Sequence, residues 1–517
     1  MKLVGPKVAR AAPFMAVSAP ILLLFQHSSP PEFSKHDLIQ GPPALVRISE
    51  TASPSALDPS PTPTTPATPT PSAPPSQQAP GVIILQGDIA LRPNKSFKFT
   101  AGVWGTSNGE VTWSVQETTA GGSISASGVY TAPSAAGVFH VVAASAALAK
   151  SDVVAVTVTN EISWQKITPP ISLDFDNPPS NYGTQIILSS PSQPTTLYVG
   201  TNYQGVWKSF NSGKTWFKAN VGLPSDPANF YFNNDGSPAG RGQECSGIEA
   251  RNWAMAVDPT DANVVYTADG YGCAQGLWKS TNGGATWRQM FSQAILKQST
   301  NDIGSIEINP ADHLHVLVGT HGAWSGTPGA AGVWESQDGG KTWALHPLPQ
   351  AAGSTNHYAA FLDAKTWIVI TQDSGIWRSA DAGATWNRVS AFTKPHGGSS
   401  LYRAKSGMLY LGGNNRVVRS GDFGATWSDA GAPTNQDGYM GLVGDGTFIY
   451  TASANTGTST VGPVRYHYTP ESDGTGWKPY NSQTFSDGPM SMTFDAQNGV
   501  VFSSNWNAGV WKLVTGN

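Results

Sequence analysis

Apolar residues along this chain fall into short runs separated by Gly, Asn, Asp, Ser and Pro, a pattern typical of many short strands joined by turns. One phrase returns throughout the second half. It reads Gly-apolar-Trp-charged-Ser and is followed by a turn of the form Asn/Asp-x-Gly-x-Thr-Trp, which we call the repeat turn. Four clear copies and three worn copies occupy residues 205–216, 276–287, 332–343, 375–386, 416–427, 463–477 and 509–513.

Each complete unit predicts four strands. In the second unit, residues 254–257, 264–267, 277–280 and 287–290 alternate with turn residues. Four antiparallel strands repeated seven times predict a seven-bladed β-propeller. The last unit stops after its third strand, and residues 163–167 resemble the missing outer strand. We therefore expect this segment to complete the last blade and cover its open edge.

Residues 81–159 predict a separate small β domain, with strands expected at 82–85, 96–103, 111–115, 128–131, 138–144 and 152–158. The stretches 111–115 and 122–133 resemble bacterial immunoglobulin-like domains, which implies a β-sandwich that serves as a spacer or surface module. The predicted fold is therefore all-β. It consists of an immunoglobulin-like domain at 81–159 followed by a propeller at 160–517.

The N-terminal 80 residues predict export. Residues 1–28 carry positive charges and then an apolar run at 11–25, which indicates a signal peptide or a membrane anchor. The run is shorter than the roughly 20 residues of a spanning helix. Residues 29–80 are a Pro/Thr/Ser-rich linker. We expect a secreted or cell-surface bacterial protein.

The chain contains two cysteines, Cys245 and Cys273. An even count in an exported chain favours a disulfide between them, and two unrelated buried thiols are the alternative.

The composition and net charge of the chain argue against nucleic acid as a partner. Charged residues make up 12% of the chain and the net charge is −4, without a basic run that would bind nucleic acid. No close-spaced set of ligands indicates a metal, and no cofactor is expected.

The repeat turn resembles the Asp-box, or bacterial neuraminidase repeat, of sialidases, xyloglucan-active glycosidases, sortilin-like receptors and photosystem assembly factors. The resemblance implies a propeller scaffold, with Asp338, Asp381 and Asp422 as structural residues and the closing Trp packed between blades. Residues 254–287 look much like xyloglucan-active glycosidases. Those enzymes place the substrate between two propellers, so their catalytic aspartates cannot be carried over. The Arg-Ile-Pro motif of sialidases does not occur here.

Strand direction places the repeat turns on one face and the long aromatic loops on the other, which we call the loop face. The residue before each innermost strand should line the central channel at this face. Such positions, and the aromatic loops beside them, supply the candidate catalytic residues Asp302, His357, Tyr358, His396, Asp437 and Asp487. The candidate substrate-binding residues are Asn252, Trp253, Trp324, Tyr271, Trp506 and Arg251. The alternative is that the polar members only cap turns.

These residue types suit carbohydrate chemistry. Paired carboxyl groups can hydrolyse a glycosidic bond, and aromatic rings can stack on sugar faces. We expect a glycoside hydrolase-like protein acting on or binding a polysaccharide at the loop face. The alternatives are a non-catalytic propeller that binds glycan or protein, and a polysaccharide lyase that uses His357, Tyr358 and His396.

Overall fold

The computed structural model describes most of the chain from residue 79 onward. It covers residues 79–516 apart from 162, 172, 174–182, 203, 221–222, 224–230, 233–237, 240–251, 269–275, 293, 296–302, 321–331, 354–357, 395–400, 432, 434–437, 455–462 and 473. The described residues all belong to one compact unit spanning residues 45–517. The signal or anchor segment, residues 29–78 of the linker and both cysteines lie outside the described residues.

The described residues are organised as strands, with two short 3-10 segments at Thr118–Gly121 and Gln350–Ala352. Within this part of the chain, no helix is long and apolar enough to cross a membrane.

Residues 81–158 form three small sheets, which we call the N-terminal β module. The strands in chain order are β1 Gly81–Ile84, β2 Ile89–Leu91, β3 Ser96–Lys98, β4 Ala101–Trp104, β5 Thr112–Val115, β6 Ser123–Ile124, β7 Val129–Thr131, β8 Gly137–Ser145 and β9 Lys150–Val158. The sheets have the orders β1-β4, β2-β9-β8-β5 and β3-β7-β6. β2 pairs with β9 in parallel and the other pairs are antiparallel.

Seven four-stranded antiparallel sheets follow, which we number I to VII. The first three are built from β11 Thr184–Ser189, β12 Leu197–Thr201, β13 Val206–Ser209 and β14 Phe217–Lys218; from β17 Met255–Val257, β18 Val265–Ala268, β19 Leu277–Ser280 and β20 Arg288–Gln289; and from β21 Ile303–Asn309, β22 Asp312–Thr320, β23 Gly332–Ser336 and β24 Ala344–Pro347. A small hairpin between sheets I and II pairs β15 Tyr231–Phe232 with β16 Pro238–Ala239.

The next three sheets repeat the plan. They are built from β25 Tyr358–Phe361, β26 Trp367–Ile370, β27 Ile376–Ser379 and β28 Asn387–Ser390; from β29 Leu401–Arg403, β30 Leu409–Gly412, β31 Val417–Ser420 and β32 Ser428–Asp429; and from β33 Leu442–Gly444, β34 Phe448–Thr451, β35 His467–Pro470 and β36 Lys478–Pro479.

Sheet VII joins the two ends of this region. It contains β37 Ser491–Asp495, β38 Val500–Asn505, β39 Gly509–Val514 and, as outer strand, β10 Gln165–Lys166. β10 pairs with β39 in the register Gln165↔Lys512. The segment expected to complete the last sheet therefore does so. The first strands of sheets VII and I also meet, since the Ile187 amide donates to Ser491 Oγ at 3.4 Å.

The repeat turn forms because its polar side chains satisfy its own backbone. In sheet IV, the amides of Thr385 and Gly383 donate to Asp381 Oδ1 and Ser379 Oγ, at 2.9 and 2.8 Å. The Thr385 hydroxyl donates to Asp381 Oδ2 at 2.6 Å. The first, second, third and fifth copies make the same two backbone amide bonds around Asn211, Asn282, Asp338 and Asp422. In the copies that have an aspartate, these bonds occupy both carboxylate oxygens, which is consistent with the structural role expected of that residue.

The closing tryptophans pack at junctions between sheets. The Nε1 atoms of Trp287 and Trp477 donate to Ala219 O and Ala430 O of the preceding sheet, at 2.8 and 2.9 Å. Trp343 packs edge-on against Phe291 at a centroid distance of 5.2 Å. The predicted packing is thus observed for Trp287 and Trp343, and the worn sixth copy makes a similar contact through Trp477.

Candidate functional site

The loop face is shaped by a bond that recurs where the second strand ends. The hydroxyls of Thr201, Thr320 and Thr371 donate to the carbonyl of the glycine that opens the third strand, at 2.7, 3.2 and 3.2 Å. All three threonines are fully buried. This bond fixes the base of these three loops. Gly205 and Gly375 adopt positive φ values of 75° and 100°, which favour glycine at the head of the repeated phrase.

Amide side chains and an indole meet at the loop face between sheets I and II. Asn202 follows β12 and is fully buried. Its Oδ1 accepts from Gln185 Nε2 at 3.0 Å and from Trp253 Nε1 at 3.3 Å. Together with Asn252 and Trp506, described next, these residues form what we call the amide–tryptophan cluster.

Asn252 brings an uncommitted acceptor to this cluster. Its Nδ2 lies 3.3 Å from both Thr267 Oγ1 and Ala268 O, and its side chain is fully buried. Its Oδ1 has no hydrogen-bond partner within the described residues. A buried carbonyl oxygen without a partner is costly, and residues 240–251 and 269–275, which adjoin this site in the chain, lie outside the described residues.

Trp506 extends the cluster toward sheet VII. Its carbonyl accepts from the Thr184 amide at 3.1 Å. Its half-buried ring packs against Met440, Ala454 and Met490. The residue adopts a positive φ of 39°, which non-glycine residues rarely adopt. Packing therefore fixes this ring beside the first strand of sheet I.

Asp487 lies in a buried polar network. Its side chain is 1% exposed and its Oδ1 accepts from the Gly488 amide at 2.8 Å. Its carbonyl accepts from Asn505 Nδ2 at 3.2 Å, and Asn505 Oδ1 accepts from the Tyr466 hydroxyl at 2.8 Å. Burial raises the pKa of Tyr466, so this hydroxyl stays protonated. A catalytic role for Asp487 stays a prediction and would need a rearrangement to expose its carboxyl group.

Tyr358 is the first residue of β25 in sheet IV, and its side chain reaches the first strand of sheet V. Its hydroxyl accepts from the Leu401 amide at 3.4 Å. Burial raises the pKa of Tyr358, so at neutral pH it carries its proton and is not a ready base. Below it, Arg403 of sheet V pairs with Glu307 of sheet III at 2.8 Å. The predicted base role of Tyr358 also stays a prediction.

The remaining candidates lie outside the described residues: Asp302, His357, His396, Asp437, Trp324, Tyr271, Arg251, Cys245 and Cys273. Of the predicted site, the structure therefore describes Asn252, Trp253, Tyr358, Asp487 and Trp506. It joins Trp253 with Asn202, bonds the Asn252 amide to Thr201 O beside them, and places Tyr358 and Asp487 in separate surroundings. Where the chain is described, no group of three or more His, Cys, Asp or Glu could hold a metal ion.

Sequence reasoning missed Gln185 and Asn202. The signal was their position. Gln185 is the second residue of β11, and Asn202 directly follows β12. It also missed a buried acid at the other face. Glu335 accepts from His315 Nε2 at 2.7 Å and His346 Nε2 at 2.9 Å. Burial alone would raise the pKa of Glu335, but the bonds from His315, His346 and Gln337 outweigh it and hold the pKa far below its usual range.

Comparisons with known proteins give partial similarities. No family model matches the chain. It is 26% identical over 197 residues to the xyloglucanase Xgh74A of Acetivibrio thermocellus, covering 32% of this chain and 20% of that protein. It is 27% identical over 204 residues to a xyloglucanase of Paenibacillus sp, covering 37% of this chain and 18% of that protein. The chain thus matches about a fifth of the length of these relatives.

Two solved structures resemble the fold at lower identity. The GH74 enzyme of Niastella koreensis gives a TM-score of 0.48 at 18% identity, covering 65% of this chain and 53% of that one. YCF48 from Cyanidioschyzon merolae gives a TM-score of 0.46 at 10% identity, covering 68% of this chain and 99% of that one. The similarity to xyloglucan-active glycosidases expected from residues 254–287 is confirmed in this limited form.

Proposed function

We propose that this protein is a carbohydrate-active seven-bladed β-propeller that binds a polysaccharide at its loop face. The observation that carries the proposal is the amide–tryptophan cluster. Trp253 and Trp506 offer half-buried rings of the kind that line sugar-binding sites, and the buried amide of Asn202 holds the Trp253 indole in place. The partial similarity to xyloglucanases supports the same class of ligand.

The proposal includes hydrolysis of that polysaccharide. Asp302 and Asp437 would serve as the acid and base, because both precede an innermost strand at the loop face. Export through residues 1–28 and display on the Pro-rich linker and an immunoglobulin-like module at 81–159 would place this reaction outside the cell.

A panel of soluble polysaccharides tests the proposal, with retention on each glycan measured beside the release of new reducing ends. We expect one neutral polysaccharide to be both retained and cleaved, and Asp302→Asn with Asp437→Asn to abolish cleavage while retaining binding. Asp312→Asn is the matched control, since this exposed acid begins β22 at the opposite face. Cleavage that survives the paired substitution would contradict the assignment of these carboxyl groups.

A non-catalytic glycan-binding propeller is the second candidate. The observation that favours it is the burial of Asp487, whose side chain is 1% exposed, together with the raised pKa of Tyr358, which keeps that hydroxyl protonated. Retention on a glycan without new reducing ends would establish it. Unsaturated products that absorb ultraviolet light would instead indicate a lyase using His357, Tyr358 and His396.

A further inference from the structure

The N-terminal β module packs against the two sheets at which the ring of strands begins and ends. We call the junction of sheets VII and I, where β10 pairs with β39, the seam. One apolar cluster runs from Ile84, Ile89 and Leu91 of the module to Ile167 and Val514 at the seam. The module is thus continuous with the core of these two sheets.

The turn at residues 85–88 reaches both sheets at once. Lys512 of β39 is 1% exposed, and its Nζ donates to Gln86 O of the module at 3.0 Å and to Ser212 O of sheet I at 3.3 Å. The Ser212 hydroxyl donates to Leu85 O at 3.1 Å. One buried ammonium group therefore links the module, the last sheet and the first sheet.

Side chains on either side of this turn add further links. Lys214 in the repeat turn of sheet I pairs with Asp152 of β9 at 3.2 Å. Gln86 Nε2 donates to Asn498 Oδ1 of sheet VII at 3.0 Å. Gly87 has a φ of +60°, and a Cβ there would lie 2.8 Å from Asn211 O. The approach is close enough that only glycine fits without displacement.

The strand pairing at the seam is short, so contacts from elsewhere in the chain are needed to hold β10 against β39. β10 contributes two residues, and the Val510 amide bonds Thr168 Oγ1 across 342 residues of chain. Other outer strands of two residues, such as β20, follow their partner directly through a repeat turn. Closing a long loop costs more conformational entropy than closing a tight turn.

We propose that the N-terminal β module is an intramolecular clamp that holds the seam closed. It bonds the repeat turn of sheet I and the edge of sheet VII with one surface, so the two sheets cannot separate without losing both sets of contacts. This role goes beyond the spacer function implied by the resemblance of residues 111–133 to immunoglobulin-like domains.

The double substitution Ser212→Ala and Lys214→Met removes clamp contacts without altering the repeat turn. Neither side chain bonds within that turn, and Ala382 occupies the position of Ser212 in sheet IV at a similar φ, 53° against 50°. We expect amide hydrogens in residues 165–167 and 509–514 of the full chain to exchange about tenfold faster. Those of β18, β19 and β22 should be unchanged. The readout is hydrogen exchange followed by mass spectrometry.

Lys341→Met is the matched control, since Lys341 holds the place of Lys214 in the repeat turn of sheet III. It should leave exchange at the seam as in the unsubstituted protein. Faster exchange confined to residues 82–91 would overturn the proposal, because the module would then detach while the seam stays closed. Faster exchange in all seven sheets, or in none, would overturn it as well.

Discussion

Charged side chains recur at one position of the repeated phrase, directly after its first tryptophan. Lys279 Nζ donates to Gly339 O of the next repeat turn at 2.9 Å, and Arg378 Nε donates to Phe423 O at 3.2 Å. Lys512 does the same toward Ser212. These bonds explain why the phrase prefers a cation there: the side chain reaches across to the adjacent sheet and satisfies a turn carbonyl.

Lys512 should make stability depend on pH. Burial lowers its pKa to about 7 in the folded protein, against an ordinary 10.5. The unfolded state therefore binds more protons between these values, and stability rises with pH across that window. Between pH 7 and 9 we expect a gain of about 2 kcal/mol in the free energy of unfolding from this group. Urea unfolding at pH 7, 8 and 9 measures it. Lys512→Met should reduce the slope, and an unchanged slope would refute the assignment.

Glu335 should contribute stability that disappears in acid. Its folded pKa is depressed, so its contribution is present above its unfolded pKa of 4.5 and declines as pH falls below it. Glu335→Gln weakens the bonds from His315 and His346, and we expect a loss of about 2 kcal/mol at pH 7 and a smaller loss at pH 3. Chemical denaturation at both pH values is the measurement. An equal loss at pH 7 and pH 3 would show that the carboxylate charge is irrelevant.

At the scale of elements, the repeat turn was the most predictable part of this chain. Its bonds are local, so the sequence contains all the groups that make them. The strands expected at 277–280 and in the module at 111–115 match β19 and β5 to within one residue. β2 and β6 were missed because two or three residues carry too little pattern. The run expected at 96–103 divides into β3 and β4, where the Thr100 amide turns to bond Gln86 Oε1 at 2.8 Å.

Replacing the aspartate of a repeat turn with asparagine should preserve stability, whereas replacing it with alanine should reduce stability. Asn211 and Asn282 already fill this place in sheets I and II. We therefore expect Asp381→Asn to cost little, and Asp381→Ala to cost about 1–2 kcal/mol because three donors lose their acceptor. Thermal unfolding of the two variants measures the difference. Glycan binding should not change in either, and a loss of binding in Asp381→Asn would contradict a purely structural role.

At the scale of the whole molecule, the repeat count predicted the seven four-stranded sheets, but not the contacts between the N-terminal β module and sheets I and VII. The outer strand of sheet VII was predictable because residues 163–167 copy an outer strand. The clamp was not, because Gln86, Lys512 and Asp152 come together only in the folded chain. The candidate site shows the same limit: Trp253 was predicted from its place before a strand, whereas Asn202 acquires its role by bonding across two sheets.

One buried ring packs directly beside the outer strand of sheet VII. Trp164 precedes β10, is 2% exposed and stacks on Tyr466 at 4.2 Å between centroids. We expect Trp164→Ala to destabilise the protein by about 3–5 kcal/mol, and Trp164→Phe by clearly less. Urea unfolding of both variants is the measurement. Equal stability of the alanine variant and the unsubstituted protein would show that closure does not depend on this residue.

The central claim is that the loop face binds a polysaccharide through the amide–tryptophan cluster. The most direct test is the equilibrium affinity of the full chain for the glycan that it retains, measured by calorimetry for Trp253→Ala and for Phe423→Ala. Phe423 is the control because it is 43% exposed on a repeat turn at the opposite face. We expect Trp253→Ala to weaken binding about thirtyfold, equivalent to about 2 kcal/mol, and Phe423→Ala to leave it unchanged. Full affinity in Trp253→Ala, or an equal loss in Phe423→Ala, would contradict the claim.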